Sequence, residues 1–209
     1  MAFHPRLSAF VRVLLSESGA GYAADYNVDP GNALAPIVFE PPAQIATSAL
    51  EIWLATAGGP LWGGADIYVS SDGATYRLAA RTNGPARMGA LSASFAVGGD
   101  PDVVDTLAVD LSASRGTLLS GTQSDADLGH TLCYVATAPS GYELVSYESA
   151  SLTGTNRYAL GTYLRRGLYG TSIASHAVGA AFTRLRRRRL EARSLSTSSA
   201  SSRPSWRGR

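Results

Sequence analysis

Three histidines, one cysteine and sixteen acidic side chains are the residues of this 209-residue chain that could do acid–base, nucleophilic or metal chemistry. None falls into a spacing such chemistry requires. His4, His130 and His176 lie far apart, and no pair stands at i, i+4 to grip a metal from one helix face. Each is expected to be structural or merely exposed. Asp125-Ala126-Asp127-Leu128-Gly129 begins like a calcium loop, but its twelfth position, where a bidentate Glu belongs, is Ala136. The segment reads instead as a turn or short helix cap. Asp100, Asp102 and Asp105 form a second acidic cluster without ligand spacing. No carboxylate pair stands out as acid and base, and no G-x-S-x-G elbow is present. The glycines near 58–64 and 167–170 do not open a helix that could cradle phosphate. Cys133 lies in an apolar run and reads as a buried, inert thiol. The expectation is a protein that is not an enzyme, with no catalytic residue, metal or cofactor.

The aromatic residues offer other chemistry. Trp53, Trp62, Tyr68, Tyr76, Tyr142, Tyr147, Tyr158, Tyr163 and Tyr169 could line a sugar-binding face or a protein interface. At strand spacing, however, aromatic residues more often form core or cross-strand pairs. Their density peaks in residues 141–171, GYELVSYESASLTGTNRYALGTYLRRGLYGT, where five tyrosines flank the Gly-bounded pair Arg165-Arg166. Those guanidiniums either brace a turn by bonding carbonyls or carboxylates, or form a solvated surface pair.

Strands must position these side chains. Glu51–Ala55 is short, aromatic and β-branched. Asp66–Ser70 and Thr75–Leu78 alternate on either side of Asp72-Gly73, which predicts a hairpin with Tyr76 and Leu78 in phase. Gly89, Leu91, Ala93, Phe95 and Val97 predict one longer strand, and Leu107, Val109 and Leu111 another with one wet face. Further strands are predicted at Thr131–Ala136, Tyr142–Tyr147, Arg157–Leu160 and Ala181–Leu185. No stretch of twelve residues carries a helical period. The fold class is mainly β, an antiparallel β-sandwich or barrel-like modules with short or no helices, and a disordered basic C-terminal tail.

Residues 1–42 read as an N-terminal strand or helical turn at 10–15 followed by an irregular linker, and 43–185 as the β-rich domain. Gly98–Pro101 is a candidate split into two modules. Hydrophobic content of 45% suits a packed core, and the apolar runs at Ala9–Leu15 are broken by Arg12, too short for a signal peptide or a membrane span. A soluble protein, or part of a soluble assembly, is expected. The net charge of +2 is uneven: residues 1–183 carry nine arginines against fifteen acids, whereas 184–209 carry nine arginines and only Glu191. The Arg/Ser-rich tail 186–209 cannot bury enough apolar surface to order itself. Phosphate contacts would suit it, but Trp206 is its one base-stacking residue, so nucleic acid is not expected as a partner.

The order of Glu143-Leu144-Val145-Ser146-Tyr147, Asn156-Arg157-Tyr158-Ala159-Leu160, Leu164-Arg165-Arg166-Gly167, Tyr169-Gly170-Thr171, His176, Gly179 and Phe182 resembles phage tail-tip proteins. The likeness is to the C-terminal region of the baseplate-hub "megatron" of gene-transfer-agent-like particles and to lambda-type host-specificity proteins. Trp62-Gly63-Gly64-Ala65, Tyr68-Val69-Ser70, Asp72-Gly73 and Leu107–Ser112 extend it to about residues 45–185. The resemblance implies a non-enzymatic segment of a tail tip or prophage-like baseplate hub, located in the virion and cytoplasmic before assembly. Implied partners are other tail-tip proteins, two further copies in a homotrimer, and a host surface receptor or glycan. Trp62, Tyr147, Tyr158, Arg165, Arg166, Gly167 and Gly170 are the positions expected to form its structural or interaction motif. A β-sandwich carbohydrate-binding module is the alternative.

Overall fold

The computed structural model describes residues 10–14, 33–49 and 51–185, with side chains from residue 33 onward. The predicted tail at 186–209 and most of the N-terminal segment lie outside the described residues. The strands are β1 (Phe10–Leu14), β2 (Ile37–Phe39), β3 (Trp53–Ala55), β4 (Ala65–Ser70), β5 (Arg77–Thr82), β6 (Met88–Leu91), β7 (Leu107–Asp110), β8 (Cys133–Thr137), β9 (Gly141–Gly154), β10 (Arg157–Arg165) and β11 (Ala181–Arg184). One short helix, α1 (Gln123–Asp127), and a single 3-10 turn at Leu168–Gly170 are the helical elements among the described residues.

Six strands close into an antiparallel barrel in the order β10-β7-β6-β11-β8-β9. Closure removes the free edges that an open sheet would present. The barrel takes β6 from before the Gly98–Pro101 turn and its other strands from after it, so that turn lies within the barrel's own connections. Alternation decides what fills it. Leu107 and Val109 of β7, Cys133 and Val135 of β8, Val145 and Tyr147 of β9, Tyr158, Leu160 and Leu164 of β10, and Phe182 of β11 form one buried cluster with Leu91 and Phe95. Each such side chain removed from water stabilises by about 1.5–3 kcal/mol. Intervening residues of the same strands, Tyr134 and Leu144, face outward into a second cluster with Ile37, Phe39 and Ala55 of the two-stranded β2–β3 ribbon. Phe39 is the hinge of that contact, with ring centroids 4.7 Å from Tyr134 and 5.0 Å from Tyr142.

The seam between β6 and β7 is short, two residue pairs, and Gly89 permits it. A Cβ there would lie 2.0 Å from the Asp110 carbonyl oxygen. At the other extreme, β9 and β10 form a long hairpin turning at Asn156, whose φ of 58° Asn tolerates better than most residues. A register shift between Gly161 and Leu164 re-aims β10 before Arg165.

Two strand expectations change. The strand predicted through Val97 ends at Leu91, and Val97 is 64% exposed. Beyond Leu91 the chain leaves the barrel wall, and Phe95 returns alone to bridge His176 through paired backbone hydrogen bonds of 2.9 and 2.8 Å. The Asp-Gly hairpin joins β4 to β5 as predicted, but Thr75 and Tyr76 belong to the turn and Leu78 is 47% exposed. Asp72 sets that longer loop, because its carboxylate accepts from Ser70 Oγ, Ala74 N and Thr75 N. Those bonds hold its carboxyl far below the usual range. Outside the barrel, β1, β4 and β5 form a separate three-stranded antiparallel sheet.

Candidate functional site

The inward parity of β9 that places Val145 and Tyr147 in the core also turns Glu143 inward, and that of β10 carries Arg166 in behind Leu164. Both charged side chains are fully buried at one end of the barrel. Their meeting is bidentate: Arg166 Nε donates to Glu143 Oε1 at 2.6 Å and Nη2 to Oε2 at 3.0 Å. The remaining donors of the fork reach Ala96 O at 3.1 Å, Ala174 O at 3.0 Å and Asp102 Oδ2 at 3.4 Å. Below the guanidinium, the Phe95 ring centroid is 3.9 Å from Cζ, a cation–π contact that water cannot screen here.

Glu143 is saturated from other directions as well. Gly167 N donates to Oε1 and Ala174 N to Oε2, each at 3.1 Å. His176 Nε2 lies 2.8 Å from Oε2 while its Nδ1 donates to the Ala136 carbonyl at 2.8 Å. The Nε2–Oε2 contact is a hydrogen bond only with a proton between the two, and with that proton the cluster of Arg166, His176, Glu143 and Asp102 carries no net charge. Burial raises the Glu143 carboxyl, but the bonds from His176 and Arg166 outweigh it and bring it down to about 2. Asp102 is held in turn by Val104 N and Asp105 N on Oδ1, and its backbone exchanges two 2.8 Å bonds with Leu164. Gly98 makes room for it, since a Cβ there would stand 2.3 Å from Asp102 Oδ2.

The cluster therefore draws one residue from β9, one from just past the end of β10, two from the 92–106 connection and one from the loop before β11. It staples these loops across the barrel end. Its groups have no lone pair or N–H directed at solvent, so the arrangement holds backbone rather than presenting a reactive atom. A second, outer tier lies beside it. Arg165 clasps Asp100 through Nε (2.7 Å) and Nη2 (2.9 Å) and reaches Asp127 with Nη1 at 2.7 Å; Tyr163 also donates to Asp127 at 2.9 Å. The Arg165 bonds hold both carboxyls below their usual range, and those carboxylates raise the guanidinium. Arg165 keeps 27% side-chain exposure.

Of the residues singled out from sequence, Arg165, Arg166 and Gly167 come together here. Gly167 adopts a φ of 60°, which lets its N–H turn back to Glu143. Gly170, with a φ of 80°, shapes the turn that follows. Tyr147 and Tyr158 are core residues of the barrel, Tyr147 donating to Leu119 O at 3.1 Å. Trp62 lies elsewhere, half-buried, with its ring against Gly58. Asp125 caps α1 reciprocally with Thr122, and its carboxyl is brought down to about 2 by His130 and Thr122. Burial pushes the Cys133 thiol up to about 12. Among the described residues no group of three or more His, Cys, Asp or Glu could hold a metal ion, and no helix is long and apolar enough to cross a membrane.

Sequence reading missed Glu143, Asp102 and His176 as partners of Arg166. The available signal was parity: a Glu two residues before an inward Val, on a strand whose next inward residue is Tyr, must find a cation.

Residues 86–183 match the family model described as Rcc01698-like, C-terminal, a family name associated with gene-transfer agents. No curated protein and no solved structure matches the chain. The matched span runs from just before β6 to β11, and in this chain it takes in the closed barrel together with the buried cluster at its end.

Proposed function

We propose that the chain is a non-enzymatic structural component of a phage or prophage-like tail tip, a baseplate-hub segment acting through protein–protein contacts. The observation that carries this reading is the coincidence of the matched span 86–183 with a closed barrel whose buried Arg166–Glu143–His176–Asp102 cluster spends all its bonds on its own loops. A tail component must keep its shape under load, and a charge-balanced staple across the barrel end serves rigidity. The motif order seen in sequence supports the same assignment. In this reading the chain works as part of a homotrimer in the virion, against other tail-tip proteins and a host receptor or glycan. The test is assembly. With an epitope tag on the chain, purified tail particles should contain it in threefold stoichiometry, and immunogold should mark one tail end. A chain that stays monomeric when co-expressed with hub partners and is missing from purified particles refutes the proposal.

A further inference from the structure

A cleft separate from the Arg166 cluster opens beside the opposite stretch of β9, four residues along the strand at Tyr147. It encloses about 330 Å³ between Arg87, the Leu119–Gly121 loop, Asp125, His130–Thr131, Tyr147 and Arg184. Two guanidiniums line it, and among the described residues neither forms an ion pair with a carboxylate. Arg184 donates to carbonyl oxygens, those of His130, Leu132 and Leu185, and its Cζ lies 5.9 Å from the Tyr147 ring centroid. Carbonyls fix its direction but leave its charge whole. Arg87 makes neither a side-chain hydrogen bond nor an ion pair among the described residues, although its stem packs on Gly116. The one carboxylate in the lining, Asp125, is already engaged: Thr122 N and Oγ1 bond Oδ2, and His130 Nδ1 lies 3.0 Å from Oδ1.

We propose that this cleft binds the oxyanion of a small acidic ligand, a phosphate or carboxylate group received by the free fork of Arg87 and completed by Arg184. Two unneutralised guanidiniums on one concave surface repel each other, and an oxyanion between them removes that cost while matching the fork's geometry. The volume admits a phosphate or a sugar acid. This inference is independent of the assembly reading, since it concerns a barrel-side cleft whether or not the chain enters a particle.

The experiment follows the side-chain Nε–Hε resonances of arginine in the full 209-residue chain by heteronuclear NMR. Inorganic phosphate, glucose 6-phosphate and glucuronate are titrated at ionic strength held constant with sodium chloride. A saturable shift of the Arg87 resonance is expected, with affinity reduced at least tenfold in Arg87→Gln and partly restored in Arg87→Lys. Saturation by the two phosphates but not glucuronate identifies a phosphate site, and saturation by glucuronate a carboxylate site. Because the Arg87 side chain makes no hydrogen bond or ion pair among the described residues, and the bond its backbone carbonyl accepts from Arg184 N is kept by any side chain, Arg87→Gln should leave the urea midpoint unchanged, which separates lost binding from lost folding. Shifts confined to the arginines of the tail, no saturation with any of the three, or equal affinity in Arg87→Gln would each overturn the proposal.

Discussion

Replacing Arg166 by methionine keeps an unbranched apolar stem of similar reach but removes every N–H of the guanidinium. Lost with it are the bidentate pair to Glu143, the bonds to Ala96 O and Ala174 O, the Asp102 contact and the stacking over Phe95. Hydrogen bonds to charged groups contribute roughly 1.5–3 kcal/mol each, so their simple sum would exceed the whole stability of most domains. Two effects lower it. Arg166 no longer needs to be desolvated, and Glu143 keeps the Gly167 and Ala174 amides and His176. The expected cost is that of breaking one partner out of a buried pair, about 3–5 kcal/mol. The pair Arg166→Met/Glu143→Leu should recover at least about 1.5 kcal/mol relative to the sum of its single variants, because the stranded carboxylate goes too. Full recovery is not expected, since Asp102 and His176 remain buried. Urea denaturation, followed by far-UV circular dichroism and tryptophan fluorescence, measures all four species. A loss below about 1 kcal/mol for Arg166→Met, or strictly additive variants, would refute the view of this cluster as the staple of the barrel end.

Acid should release the same staple. Because the Glu143 carboxyl lies below its ordinary value of 4.5 in the fold, at about 2, its contribution is complete above pH 4.5 and is lost as pH falls from there toward 2. The loss should be on the order of 3 kcal/mol over that window and should shrink in Glu143→Gln, read from urea midpoints at stepped pH. Gly89→Ala should destabilise by about 1–3 kcal/mol, because the new methyl meets the Asp110 carbonyl at the narrow β6–β7 seam. Thermal unfolding checks it, and an unchanged midpoint would mean the seam can open without cost. Arg165→Gln, by contrast, removes a partly exposed clasp on Asp100 and Asp127 and should cost about 1 kcal/mol or less. A loss as large as that of Arg166→Met would show the two arginines to be one unit.

Alternation made much of the barrel wall legible in the sequence. Leu107 and Val109, Cys133 and Val135, Val145 and Tyr147, and Phe182 each mark an inward face on a strand placed within a few residues of its position. The long β9–β10 hairpin was less complete in sequence, because its outer half, from Ser149 to Gly154, is partly exposed, Leu152 included, and carries no core pattern. The strand predicted through Val97 failed for the opposite reason. Its apolar alternation continues past the point where the barrel needs wall, and tertiary contacts spend Phe95 on the barrel end. Glu143 as the buried partner of Arg166 was hidden because a charged residue normally marks the wet face of a strand, and only a known register shows which face is wet.

The sequence alone determined the class of this protein: strands without long helices, a single inert thiol, histidines without ligand spacing, and an apolar alternation that demands a closed or doubly layered core. Residue type and period act locally, so these features need no knowledge of partners. Tertiary structure decided that the layers close as one barrel, that Asp102 and His176 arrive from distant loops, and that Arg166, not its neighbour Arg165, is the buried brace. In the stretch 141–171 the two arginines look alike. Their difference arises only when β10, re-aimed by its register shift, turns one guanidinium into a dry barrel end against Glu143 and leaves the other at the surface, where water competes for the same bonds.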